Sequence, residues 1–146
     1  MAHRLHTEIE IDAAPEVVWT ILTDLPAYRD WNPFITSSEG TVAVGERLTN
    51  RLEPPGGKPV TFKPIVTRVD HGRALEWLGR LPLAGMFDGR HRFELVPAGD
   101  GTRLIHAEHF TGLLVPFMKK GLDINTLAGF EAMNRALKSR AEATDG

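Results

Sequence analysis

Histidine and carboxylate side chains in two neighbouring segments have the types and spacing needed for proton transfer. His91 lies between Arg90 and Arg92, while His106 and Glu108 are two residues apart and so share one face of any strand that contains them. Because the flanking arginines favour solvent, His91 is predicted to point inward. An imidazole beside a carboxylate can act as a general acid and base, or it can bind the polar end of a ligand.

A four-residue turn, Ala98–Gly101, predicts how these two segments pair. Its Gly-Asp-Gly sequence is typical of a hairpin, and antiparallel pairing around it places His91 opposite Glu108 and Phe93 opposite His106. Since a buried carboxylate needs a partner, we expect His91 and Glu108 to meet inside the protein as candidate catalytic residues. Two alternatives remain open: a satisfied structural pair at the rim of a cavity, or a bulge that turns Glu108 to solvent.

Most other catalytic chemistries are excluded by what the sequence lacks. It contains no cysteine, which excludes disulfides, thiolate catalysis and cysteine-ligated metal sites. The nucleophile elbow, the zinc-binding helix motif, the P-loop and the dinucleotide-binding glycine fingerprint are also missing. Two His-x-x-His pairs, His3 with His6 and His106 with His109, would point to opposite faces of a strand. No metal and no cofactor are therefore predicted.

The composition is that of an ordinary globular domain. A length of 146 residues predicts a single domain over residues 1–146, and 42% hydrophobic with 25% charged residues excludes a disordered or fibrous chain. Seventeen Lys and Arg against nineteen Asp and Glu give a net charge of −2, which predicts no nucleic-acid binding. Without a long apolar run or an apolar leader, the chain is predicted to be cytoplasmic, without stable membrane insertion, and a monomer or homodimer.

Hydrophobic periodicity predicts strands and short helices over the first two-thirds of the chain. Residues from Leu5 to Ile11 alternate as in a half-buried strand, and a helix starts at Pro15 and ends near Pro26, followed by a short turn over Tyr28–Trp31. Six further strands are predicted at Phe34–Glu39, Arg47–Glu53, Val60–Val69, Ala74–Arg80, Met86–Val96 and Thr102–Thr111.

A long C-terminal helix is predicted from Pro116 to about Ala143. Its apolar face comprises Ile124, Leu127, Phe130, Asn134, Leu137 and Ala141. The predicted architecture is α+β: a curved seven-stranded antiparallel sheet wrapped around this helix, with two short helices after the first strand. An internal hydrophobic cavity of roughly 300–1,000 Å³ is expected between the sheet and the Asp123–Arg140 part of the helix.

Residues on the inward faces, most of them apolar or aromatic, are the candidate wall of that cavity. They are Trp31, Phe34, Asn50, Phe62, Trp77, Phe87, Phe93, His106, Phe110, Phe130, Met133 and Asn134. Leu48, Leu52 and Met118 are further candidates. For any one of them, ordinary core packing is the alternative interpretation. The apolar segment Leu81–Phe87 is predicted to be a lid over the cavity or a contact with another subunit.

Three segments carry a resemblance to a known family. Residues 11–19 (IDAAPEVVW), 28–34 (YRDWNPF) and the hairpin from His91 to Leu114 resemble the SRPBCC domains, which are START-like and of the polyketide cyclase/dehydrase type. The resemblance spans essentially the whole chain and implies the helix-grip fold with a cavity for small hydrophobic molecules. The family includes lipid carriers, hormone receptors, aromatase/cyclases and co-chaperone domains.

Three functional hypotheses follow from that resemblance. The first is binding, for carriage or sensing, of a small hydrophobic ligand such as a lipid, polyketide or aromatic metabolite. The second is a cofactor-independent aromatase/cyclase that uses His91 and Glu108 as acid and base. The third is a co-chaperone-like module that contacts a protein partner. Close approach of His91 to Glu108 would favour the second hypothesis, and an exposed Leu83 and Phe87 beside an occluded cavity would favour the third.

Overall fold

The computed structural model of the protein describes residues 2–81, 83 and 85–145, and its fold is α+β. The strands are β1 Ala2–Ile11, β2 Ile35–Glu39, β3 Thr49–Leu52, β4 Val60–Phe62, β5 Ile65–Asp70, β6 Ala74–Leu81, β7 Phe87–Ala98 and β8 Gly101–Thr111. The α-helices are α1 Pro15–Thr23, α2 Tyr28–Trp31, α3 Val115–Gly121 and α4 Leu127–Asp145. A 3₁₀ turn at Leu25–Ala27 joins α1 to α2, and a π turn at Leu122–Thr126 joins α3 to α4.

The strands form two antiparallel sheets, where a single sheet of seven strands was predicted. One sheet has the order β1-β8-β7-β6-β5 and the other the order β2-β3-β4. The predicted strand Val60–Val69 is divided at Pro64, because proline has no N–H to donate to a ladder. The Pro64 carbonyl instead accepts a hydrogen bond of 2.8 Å from the Leu48 N–H. A bridge from Arg47 to Ile65 adjoins this bond, and hydrogen bonds of Val66 with Gly45 and Glu46 extend the connection between the two sheets.

The C-terminal helical segment is interrupted, where one continuous helix was predicted. The π turn at Leu122–Thr126 has about one extra residue per turn, which changes the phase of the side chains before α4. As a result Ile124, predicted on the apolar face, is 57% exposed, whereas Phe130, Asn134 and Leu137 are buried as predicted.

Helix α4 packs tightly against the core. Phe130, Met133, Leu137 and Ala141 are fully buried. At Gly129 the helix approaches Phe34 so closely that an added Cβ would overlap the phenyl ring. The buried face of α4 therefore packs directly on the core. Among the described residues, no helix is long and apolar enough to cross a membrane.

Candidate functional site

The hairpin of β7 and β8 has the predicted register. His91 pairs with Glu108 and Phe93 with His106 in a ladder that runs without a shift from Asp88–Thr111 to Ala98–Gly101. This uninterrupted ladder excludes the bulge that would have turned Glu108 to solvent. Both histidines are buried, whereas Arg90 on the opposite face of β7 is exposed.

His91 and Glu108 contact each other directly. The Nδ1 atom of His91 lies 3.0 Å from Oε1 of Glu108, and the two side chains are 5% and 14% exposed. The predicted contact between the two residues is thus present. A hydrogen bond in such a desolvated position is stronger than one on the surface, and its two partners are able to exchange a proton.

A chain of hydrogen bonds continues from this pair into the core. His91 Nε2 lies 2.8 Å from His106 Nε2, and His106 Nδ1 lies 2.8 Å from Asn134 Oδ1. The Asn134 amide donates to Thr7 Oγ1 over 2.8 Å, and that hydroxyl donates to the His106 carbonyl over 2.7 Å. Four elements, β7, β8, α4 and β1, therefore meet in one polar network inside an apolar core. Thr7 was missed by the sequence analysis, although its inward position on β1 was the available signal.

Aromatic rings surround both imidazoles. Phe130 stacks on His106 with the ring centres 4.0 Å apart and the planes at 6°, and Trp77 stacks on His91 at 5.2 Å. Phe93 contacts both imidazole rings. Because these rings exclude water, the hydrogen-bond partners of each imidazole are fixed by the protein.

Burial lowers the pKa of His106 well below its ordinary value of 6.5. The neighbouring His91 lowers that pKa further, while hydrogen bonds with Asn134 and with the backbone of Phe130 oppose the shift. His106 is therefore neutral in the folded protein at neutral pH. A buried, uncharged imidazole can only accept at one nitrogen and donate at the other.

We expect the free energy of unfolding to fall as the pH is lowered below about 6.5, because the unfolded chain then protonates His106 and the folded chain does not. Through His106, the free energy of unfolding should fall by up to about 1.4 kcal/mol for each pH unit below 6.5. Above pH 7 this residue should cause no change. Urea denaturation between pH 7.5 and pH 5 measures the slope. The variant His106→Phe keeps a flat ring against Phe130. In this variant the free energy of unfolding should depend less steeply on pH, because about one proton fewer is taken up on unfolding. Equal slopes in both proteins would contradict the assignment.

A pocket of about 170 Å³ lies beside the His91–Glu108 pair, between the two sheets and the π turn. Eight predicted site residues line it: Phe34, Asn50, Phe62, Trp77, Phe87, His91, Glu108 and Phe110. So do Leu52 and Met118 from the further candidates. Six predicted residues do not line it, namely Trp31, Phe93, His106, Phe130, Met133 and Asn134. Five of these six are core residues, and Trp31 is half-buried beside Tyr28. Leu48 is also a buried core residue.

Eight further residues of the pocket wall were not predicted from the sequence. The additional residues are Ile35, Pro54, Val60, Pro64, Gly79, Gly89, Leu122 and Thr126. Gly79 and Gly89 are paired across β6 and β7, and Gly89 shares the inward face of β7 with His91. Two glycines opposite each other on an inward face leave space that side chains would otherwise fill. That pairing was the available signal.

The pocket is smaller than the roughly 300–1,000 Å³ that was expected, and its helical lining residues lie on α3 and the π turn. An apolar cavity of about 150 Å³ is sufficient for a benzene molecule. The volume of this pocket is comparable with that of such a cavity. Val60 and Met118 line the pocket and are exposed to solvent, which identifies its opening.

The predicted lid, Leu81–Phe87, is described only in part, since Pro82 and Ala84 lie outside the described residues. Leu83 is 71% exposed, whereas Phe87 is 8% exposed and stacks on Phe110 in the pocket wall. Closure by this segment stays a prediction. No three His, Asp or Glu side chains are grouped to hold a metal ion in the part of the chain that the structure describes.

Comparison with known proteins identifies the family. Residues 2–142 match the family model described as polyketide cyclase/dehydrase and lipid transport. The chain belongs to this family. Members of the START/SRPBCC superfamily have the same fold, as the sequence motifs predicted. No curated protein matches the chain in sequence.

Three solved structures illustrate the likeness of this polyketide cyclase/dehydrase family member to others of its fold. A START superfamily protein from Mycobacterium smegmatis has 25% identity and a TM-score of 0.71, covering 97% of this chain and 99% of its own. The Zhui aromatase/cyclase from Streptomyces sp. R1128 has 16% identity and a TM-score of 0.78, with coverages of 97% and 94%. Norcoclaurine synthase from Thalictrum flavum, in complex with dopamine and hydroxybenzaldehyde, has 18% identity and a TM-score of 0.76, with coverages of 100% and 90%.

Proposed function

We propose that this protein binds a small, uncharged hydrophobic molecule with one ring and one polar group, such as an aromatic metabolite. The observation that carries the proposal is the His91–Glu108 pair in the wall of an otherwise apolar pocket. Apolar and aromatic side chains supply the affinity, and a small number of polar groups fix the orientation of the ligand.

The shape of the pocket supports this class of ligand. Phe34, Phe62, Trp77, Phe87 and Phe110 offer flat apolar surfaces around a volume of about 170 Å³. A fully charged ligand would lose its hydration there without gaining a compensating charge, which is unfavourable. Norcoclaurine synthase, whose fold is similar, has been seen in complex with dopamine and hydroxybenzaldehyde, both small aromatic molecules, which supports this class of ligand.

The substitution Glu108→Gln tests the proposal, with phenol and toluene as probes of equal ring size. We expect phenol to bind about 1–3 kcal/mol more weakly to the variant, because a hydrogen bond in a desolvated site is lost or weakened. Toluene has no hydroxyl group, so its affinity should not change. Titration followed by chemical shifts of the backbone amides measures both affinities.

The matched control is Glu94→Gln, which changes a carboxylate on the opposite face of β7, where Glu94 contacts Arg92. Phenol should bind to this variant as it does to the unchanged protein. If phenol bound equally well to Glu108→Gln, or if neither probe bound to the unchanged protein, the proposal would be wrong. Native mass spectrometry of gently purified protein would identify a retained natural ligand.

A second candidate function is enzymatic proton transfer of the aromatase/cyclase type. It is favoured by the 3.0 Å distance between His91 and Glu108, which is within the range for a proton donor and acceptor. Under this alternative, Glu108→Gln abolishes turnover and changes substrate affinity less. The protein-partner hypothesis has weaker support, because Leu83 is exposed but Phe87 is buried.

A further inference from the structure

In the hydrogen-bond chain behind the pocket, the donor and the acceptor of each bond can be assigned in turn, beginning with the Thr7 hydroxyl group. The Thr7 hydroxyl has one proton, which it donates to the backbone carbonyl of His106 over 2.7 Å. The hydroxyl oxygen must therefore accept from its other partner, Asn134. This requirement orients the Asn134 amide with its NH₂ group toward Thr7, at 2.8 Å, and its oxygen toward His106.

The orientation of Asn134 then determines the tautomer of His106. An amide oxygen only accepts, so the His106 Nδ1 atom, 2.8 Å away, must carry a proton. Since His106 is fully buried among Phe93 and Phe130, it holds one proton and its Nε2 atom is bare. Bare Nε2 is an acceptor.

The tautomer of His106 in turn determines which nitrogen of His91 donates. The Nε2 atom of His91 lies 2.8 Å from the bare Nε2 of His106 and must donate a proton to it. The remaining nitrogen of His91, Nδ1, lies 3.0 Å from Glu108 Oε1. One proton occupies that contact, either on the imidazole, which gives an ion pair, or on the carboxyl group, which gives two neutral side chains.

We propose that Thr7 and Asn134 are positioning residues, which fix the hydrogen-bond direction through His106 and His91 so that a single shared proton lies between His91 and Glu108 at the pocket wall. The pair has no net charge in either state. Because the single proton is held in that contact, the free carboxyl oxygen of Glu108 can only accept a hydrogen bond, for example from a ligand hydroxyl group. The pocket would thus take neutral phenols, bind aromatic aldehydes and ketones more weakly, and reject carboxylate anions. This consequence rests on the proposed function, whereas the direction of the chain does not.

Side-chain ¹⁵N spectroscopy of the ligand-free protein at pH 7 tests the direction, because protonated and bare ring nitrogens have well-separated shifts. We expect His106 to be protonated only at Nδ1 and His91 to be protonated at Nε2. A bare Nε2 on His91, or a bare Nδ1 on His106, would overturn the inference. This measurement on the unchanged protein needs no variant to fold.

The substitution Asn134→Asp should reverse the direction of the hydrogen bond between His91 and His106. An aspartate next to His106 favours an imidazolium, whose Nε2 proton is donated to His91. His91 then has no proton on Nε2. Its single proton is on Nδ1, where it faces an ionised Glu108. A merely structural role for Asn134 would leave the His91 tautomer unchanged, which would contradict the proposal.

The matched control is Asn32→Asp, which makes the same chemical change at another buried asparagine. Asn32 uses its oxygen to accept from the Phe34 and Ile35 N–H groups, and within the described residues its amide nitrogen has no partner. An aspartate can keep both accepted bonds. The shifts of His91 and His106 should not change in this variant.

Titration with phenol, benzaldehyde and benzoate separates this inference from the proposed function. Phenol should bind and move the shared proton toward His91 Nδ1, because its hydroxyl group donates to Glu108. Benzaldehyde, which only accepts, should bind more weakly and leave the His91 shift unchanged, and benzoate should not bind. If phenol did not bind but the ring nitrogens had the expected protonation, the hydrogen-bond direction would be correct and the ligand site would be wrong. If phenol bound and the His91 shift did not move, the shared-proton inference would be wrong.

Discussion

The substitution Phe130→Ala is expected to lower the free energy of unfolding by about 3–5 kcal/mol, because the phenyl ring is fully buried and α4 cannot move in to fill the space. The ring stacks on His106 at 4.0 Å and contacts Phe34 at 5.5 Å edge to face. For a domain of this size, whose stability is about 5–15 kcal/mol, that loss approaches the whole stability. Urea denaturation at pH 7 measures it.

Phe117→Ala is the matched control for Phe130→Ala. Phe117 lies on α3 and is 84% exposed, so its removal should change the free energy of unfolding by no more than about 0.5 kcal/mol. A similar loss in both variants would show that the stability does not depend on packing between α4 and the sheet. A small loss in Phe130→Ala alone would show that the core collapses around the cavity.

Gly89→Ala is expected to reduce phenol binding roughly 5- to 150-fold, which corresponds to about 1–3 kcal/mol. A Cβ at this position would lie well inside 3.0 Å of Glu108 Oε2, so the carboxyl group must move away from its place beside His91. That carboxyl group is the end of a flexible side chain, and its displacement should change the stability of the fold little. Binding and denaturation measured on the same variant separate the two effects.

The control for this experiment is Gly79→Ala. Gly79 is the cross-strand partner of Gly89 and also lines the pocket, but its added Cβ would meet only Pro64 at 3.9 Å, an ordinary contact. We expect a much smaller change in affinity for phenol. Equal losses in both variants would attribute the effect to pocket volume, with no contribution from the position of Glu108.

The register of the β7–β8 hairpin could be predicted from the sequence because three local signals agreed. The turn Ala98–Gly101 fixes which residues face each other, the charged residues on one face of β7 identify the outer side, and the alternation in β8 has the same period. The contact between His91 and Glu108 follows from these three signals alone. The network beyond it does not follow, since its connection to Thr7 depends on how β1 and α4 pack against the hairpin.

The division of the sheet and the position of the pocket could not be predicted from periodicity. Strand-forming apolar residues occur on both sides of Pro64, and only this proline indicates the break between β4 and β5. The π turn at Leu122–Thr126 has no compositional signal, yet it removes Ile124 from the core and brings Leu122 to the pocket. Both features depend on which backbone hydrogen bonds the tertiary structure can satisfy, a property that a single segment does not contain.

The division into two sheets makes the two walls of the pocket mechanically unequal. Trp77, His91 and Glu108 belong to the five-stranded sheet, where continuous ladders hold neighbouring strands at a fixed spacing. Asn50 and Phe62 belong to the three-stranded sheet, which is tied to the larger one through the short stretch around Arg47 and Ile65. We therefore expect the wall with the polar pair to be the stiffer of the two. Under the proposed function, the polar pair would keep its position while the width of the pocket adapts to the size of the ring.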